Sequence, residues 1–233
     1  APDEPSSFSG SGAFTHFGIT GSQTVPGADS VSGRFTFDDN GGELKLDSRD
    51  VRVRLPRVFA DTLVLSSATG QVRWSRTPEE VRIVLDDVKF VTPLTAGSAS
   101  GSWRSRPKGP GILDLRAQLA RADAHNLYRY LPLALSAEVR DWLRSSIKEG
   151  RASDVRMALS GNLADFPFAD PKRGQFLVTF KVAGATLDYA QGWPAITGID
   201  ADVKFEGAGM SIDARSGEMR GASIGPVAVT IPD

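Results

Sequence analysis

The stretch from Gly174 to Tyr189, GQFLVTFKVAGATLDY, alternates in strict twos. Phe176, Val178, Phe180 and Val182 fall on one side of an extended chain; Leu177, Thr179, Lys181 and Ala183 fall on the other. The same habit fills most of the sequence, in short runs punctuated by Gly, Asn, Asp and Pro. Such a chain folds into antiparallel strands with one dry face and one wet face. The dry face must then meet either a second protein layer or something that is not protein.

Taking one alternating set per strand gives the candidate inward residues. They are Phe35 and Phe37; Leu44 and Leu46; Val51 and Val53; Leu63 and Leu65; Val72 and Trp74; Ile83 and Leu85; Phe176, Val178, Phe180 and Val182; Val203 and Phe205; and Val227 and Val229. Their outward neighbours include Arg52, Arg54, Arg73, Arg82, Lys181 and Lys204. Two architectures satisfy this pattern. A closed β-sandwich buries each inner face against the other, and it would act as a structural or adhesion module through its edges. An open gutter leaves the trough for a ligand. RFTF and ELKL flank DDNGG, the expected turn of a hairpin. Laid without a gap onto 194–220, residues 26–52 pair Phe35 with Val203, Phe37 with Phe205 and Leu44 with Ile212, a weak sign of a repeated strand–turn–strand unit.

One segment breaks the period of two. Between 123 and 150, Ser136 is placed to cap a helix whose apolar positions Val139, Trp142, Leu143 and Ile147 are spaced i, i+3, i+4 and i+8, with Gly150 just past its end. Asp123 is placed to cap a shorter helix that Pro132 stops. This stripe either packs on its own domain or gates the trough and faces a membrane. The expected organisation is a linker-like 1–12, a first β segment 13–122, the helical insertion 123–150, and a second β segment 151–233 continuous with the first. The Pro/Ser/Gly-rich start and the strand-like VAVTIPD at the far end read as interior points of a longer protein.

Reactive chemistry is sparse, and the expectation is no enzyme, no cofactor and no metal. The chain has no cysteine and two histidines, His16 and His125, with no motif around either. FDDNGGE lacks the ligand spacing of a calcium loop. Asp86 and Asp87, adjacent in an extended run, are expected on opposite faces. A formal net charge of -1, with basic residues scattered, gives no footprint for nucleic acid. FPF at 166–168 reads as a wedge at a strand entry, and Trp193 before Pro194 as a turn residue.

Leu131-Pro132, Arg140-Asp141-Trp142-Leu143, Gly150-Arg151, Asp165-Phe166-Pro167-Phe168, Leu187-Asp188-Tyr189 and Gly192-Trp193-Pro194 resemble the signatures of YhdP-type proteins in the AsmA-like family. LPRVFADTL and GQVRW extend the resemblance over nearly the whole chain. It implies a mainly β fold, an elongated, twisted antiparallel β-groove of open, U-shaped cross-section with a short helical insertion. It also implies a periplasmic fragment of a bridge-like lipid transfer protein anchored in the inner membrane of a Gram-negative bacterium. Such a fragment would carry phospholipid acyl chains between inner and outer membrane. Its implied partners are those lipids, the remainder of the same longer chain, and envelope proteins at either membrane.

Overall fold

The computed structural model describes residues 7–22, 26–56, 59–123, 126, 133 and 137–232. Thirteen strands form one antiparallel sheet: β1 (Ser9–Ile19), β2 (Gly27–Asp38), β3 (Gly41–Arg54), β4 (Leu63–Arg76), β5 (Val81–Val91), β6 (Ala96–Arg104) and β7 (Ile112–Asp123). After helix α1 (Ala137–Ser146) come β8 (Ile147–Asn162), β9 (Gly174–Leu187), β10 (Ile196–Glu206), β11 (Gly209–Met219), β12 (Ala222–Ile224) and β13 (Val227–Ile231). Each strand pairs with the next as far as β12, and β13 joins β12 on the far side of β11. β7 pairs directly with β8, so the insertion does not interrupt the sheet. β1 does not pair with β12 or β13, and the result is an open, elongated groove rather than a barrel. The closed sandwich does not form: all thirteen described strands belong to one sheet, with no second sheet against its dry face.

A single-layer sheet should have a thin core, and this one does. The buried apolar residues are few, and half of them are the alanines Ala68, Ala152, Ala185 and Ala201; most large inward side chains stay partly exposed, with Phe176 an exception. The buried small residues follow a line of backbone irregularities across the strands. His16, Ser30, Asp50, Asp87 and Asp154 have positive φ inside their strands, as do Gly70, Gly184 and Gly198. Most of these sites coincide with register shifts, the mark of β-bulges, which bend a strand and sharpen its twist. The bulges form a crease that curls the sheet, and alanines along it let the inner face close.

At several bulges a backbone N–H leaves the ladder, and a neighbouring strand supplies an acceptor side chain. Ser32 Oγ accepts from His16 at 3.0 Å, Ser100 Oγ from Asp87 at 3.1 Å, and Asp200 Oδ1 from Gly184 at 2.9 Å. Ser48 Oγ accepts the Ser32 N–H at 2.9 Å and donates to the Ser32 carbonyl at 2.7 Å, while only 2% exposed. Ser48→Ala should therefore lower unfolding free energy by about 1–3 kcal/mol, the cost of leaving buried backbone groups unpaired. Urea denaturation checks it; an unchanged midpoint would show that water replaces the hydroxyl.

A bulge also moves the inward set from odd to even positions. Leu85 and Val88 share the inner face although three residues apart, because Asp87 is extra. Asp86 and Asp87 consequently do not point to opposite faces. Asp86 pairs with Arg73, and Asp87 with Lys89 at 3.0 Å, both on the polar side.

The internal echo is a structural one. Phe35 faces Leu44 across the β2–β3 hairpin as Val203 faces Ile212 across β10–β11, and the bulge at Ser30 recurs at Gly198 at the same offset. In the first hairpin Asp38 Oδ1 accepts from the N–H groups of Asn40 and Gly41, closing the expected turn.

The helical insertion is shorter than its apolar spacing suggests. α1 ends at Ser146, and Ile147, Lys148, Glu149 and Gly150 belong to β8. The Asp188 N–H donates to the Ser146 carbonyl at 2.8 Å and Ile147 faces Leu187, so pairing with β9 captures the chain there. Gly150 is no helix terminator; it sits at φ 134° in β8, within the register shift between Glu149 and Arg151. Asp123 is the last residue of β7 rather than a helix cap. Ser136, Leu131-Pro132, His125 and most of the shorter helix expected after Asp123 lie outside the described residues.

Candidate functional site

Strand register places the expected inward residues on one face. Phe35, Leu44, Val72 and Leu85 form one continuous cross-strand row, with Leu115, Leu159 and Phe176 further along it. Phe37, Trp74 and Ile83 belong to the next row, and Leu46 extends the inner face of β3. Beyond the crease Val51 faces Leu65 and Val53 faces Leu63. At the other end Val203 faces Phe180 and Phe205 faces Val178, the Phe180 and Phe205 rings stacking at 6.2 Å. Val229 faces Ile212 and Val227 faces Ala214.

Sequence reasoning missed the middle of this surface. Trp103, Leu113, Leu115 and Leu119 of β6 and β7, and Val155, Met157 and Leu159 of β8, share the same face. Ile196, Ile199, Met210 and Ile212 extend it through β10 and β11. The signal was present in LDLRAQL, which alternates cleanly. The opposite face is ionic: Lys181 meets Asp154 at 3.3 Å, Lys204 meets Glu206 at 2.8 Å, and Arg215 pairs with Asp202. Such exposed pairs contribute little stability, but they keep that face wet.

The trough deepens at the β9–β13 end into a cavity of about 230 Å³. Phe180, Val182, Val203, Phe205, Val227 and Val229 line it, together with Ile147, Leu187, Ile196 and Ile199. Trp142 and Leu143 of α1 form its upper wall, and the Trp142 Nε1–H donates to the Tyr189 carbonyl at 3.2 Å. Val139 lies in the same helix, its side chain outside the described residues. Among the described residues, no charged side chain lines this cavity.

The strand ends opposite α1 carry an aromatic wedge. Phe168 is 4% exposed and lies across Gly161 and Gly174, while Phe166 packs 5.1 Å from Phe176. FPF is thus part of the wall. Trp193 sits in a turn closed by its N–H to the Ala190 carbonyl at 3.1 Å, with its indole largely exposed. His16 is an exposed bulge residue. Among the described residues, no cluster of acidic and histidine side chains is arranged to hold a metal ion.

A family model described as YhdP protein matches residues 2–233. The intermembrane phospholipid transporter YhdP of Escherichia coli (strain K12) is 23% identical over 212 residues, which cover 90% of this chain and 16% of that relative. The chain thus spans about a sixth of the length of the curated relative it matches. No solved structure matches it.

Proposed function

Because this chain belongs to the YhdP family, we propose that its apolar groove carries phospholipid acyl chains as one segment of a periplasmic route between the inner and outer membranes. The observation that carries this reading is an apolar face that runs from strand to strand across a single open sheet, with no second sheet over it among the described residues. Monomeric proteins seldom leave so large a patch without a partner for it. The relative's transport of phospholipid supplies the chemistry of that partner.

Burying a CH₂ is worth ~0.8 kcal/mol, so a sixteen-carbon tail gains on the order of 12 kcal/mol from a dry trough. A lining with few polar anchors holds hydrocarbon without fixing its position, and a tail slides in small steps. The headgroup stays in water at the open lip. A passive surface favours neither direction, so directionality must come from other parts of a longer protein or from its partners. The segments before and after α1 act as one groove. The route places the chain in the periplasm, within a parent anchored to the inner membrane and meeting envelope proteins at either end. No helix among the described residues is long and apolar enough to cross a membrane.

Native mass spectrometry and solvent extraction of the purified chain test the proposal. Co-purified phospholipid, or uptake of a fluorescent acyl probe by delipidated protein, is the expected result. Repeated absence of both would overturn it.

A further inference from the structure

We propose that α1 is a lid that holds a single acyl chain against β9–β11, making this part of the groove a resting site rather than open track. The inference rests on the phospholipid reading above and adds a step to it. Away from α1 and the Phe166–Phe168 loop, the described residues leave the inner face a one-sided surface. Here Trp142 and Leu143 oppose Phe180, Val203, Ile199 and Ile212 across the cavity, so an occupant touches protein on two sides. At about 230 Å³ the space is smaller than the ~300–1,000 Å³ of an ordinary small-molecule pocket, and it has room for a stretch of one hydrocarbon chain but not for two with a headgroup. It is continuous with the groove, since Phe180 and Val203 belong to both.

The helix is short. Its ten residues fall short of the ~12–15 at which a helix begins to hold itself in water, so it depends on what it packs against. With the trough empty that support is the Trp142 hydrogen bond to the Tyr189 carbonyl and the rim of a partly open cavity; with a chain inside, Leu143 and the Trp142 ring gain an apolar partner. Occupancy and closure therefore favour each other, and a chain leaves when the helix lifts.

Tryptophan positions make this testable. Trp74 stands on the groove face far from α1, and Trp142 stands over the cavity. Two variants are made, each keeping one of these and replacing the other three tryptophans by Phe, and both are confirmed folded by circular dichroism. They are mixed with phosphatidylethanolamine vesicles carrying dibrominated acyl chains, which quench an indole on contact. Quenching of both residues is expected. Leu143→Ala, a helix-compatible change, should speed transfer of bound lipid to bromine-free acceptor vesicles roughly tenfold by removing half of the two-sided grip. Quenching of Trp74 without Trp142, or an unchanged release rate in Leu143→Ala, overturns the lid and leaves the groove standing. Quenching of neither overturns the groove reading, and the lid with it.

Discussion

Replacing Phe205 by Glu should reduce phospholipid bound to the purified chain by more than tenfold while leaving it folded. Phe205 sits on the inner face between Val178 and Met210, its ring stacked on Phe180, and it lines the deepest part of the trough. An ionised carboxylate there keeps its hydration shell, and each methylene displaced from the wall forfeits ~0.8 kcal/mol. Two lost methylene contacts already exceed the 1.4 kcal/mol that corresponds to a factor of ten. The empty protein tolerates the change because the position is only partly buried, so the carboxylate can reach water. Val178→Asp, one strand away, should act in the same way. The control is Thr179→Glu, which puts the same charge opposite Lys204 on the wet face and should load normally. The measurement is lipid phosphorus per protein after extraction. Equal loading in all three variants would mean that hydrocarbon does not run along this face.

Much of the inner face was legible where both members of a cross-strand pair are bulky and close in sequence. Phe35 with Leu44, Val72 with Leu85 and Val203 with Phe180 announce themselves by alternation alone. β6 is silent because its inward residues are Gly97, Ala99 and Gly101 before Trp103, so a hydrophobic period has nothing to register. On the β6 side Leu115 and Leu119 face only glycine, and their bulky partners Leu159 and Val155 lie across β8, more than thirty residues further along the chain. The bulges were hidden for a different reason. Aspartate, serine and histidine within strand-like runs look like wet-face residues, and positive φ leaves no compositional trace. Only the gaps of three, Leu85 to Val88 and Val182 to Ala185, betray the change of phase. The end of α1 is ambiguous because Ile147 satisfies both the helical spacing and the inward strand position. Hydrogen bonding to Ser146 decides between them, and that partner lies some forty residues away in sequence.

The aromatic wedge should be the most stability-critical point of the groove wall: Phe168→Ala is expected to cost about 3–5 kcal/mol. Few side chains in this single-layer fold are buried, and Phe168 is the bulkiest of those beside Phe176. Its ring covers the facing pair Gly161 and Gly174, where a Cβ at Gly161 would come within 2.7 Å of it. The two glycines leave a hollow in the inner face and the phenylalanine from the adjoining loop fills it. The loop is held to deliver the ring. Asn162 Oδ1 accepts the Ala164 N–H at 3.1 Å, the Phe168 N–H donates to the Asp165 carbonyl at 2.8 Å, and Arg173 meets Asp165 at 2.6 Å. The backbone at Phe168 has φ 67°, a left-handed conformation that disfavours residues with a Cβ by ~1–2 kcal/mol. Ring packing must outweigh that cost, which gives a second comparison. Phe168→Gly removes the ring and the backbone penalty together, so it should be about 1 kcal/mol more stable than Phe168→Ala. Urea unfolding of the two variants separates the contributions. A loss below about 1 kcal/mol in Phe168→Ala would mean that the hollow closes by itself, and the wedge would then be a covering of the lip rather than part of what holds β8 and β9 in shape.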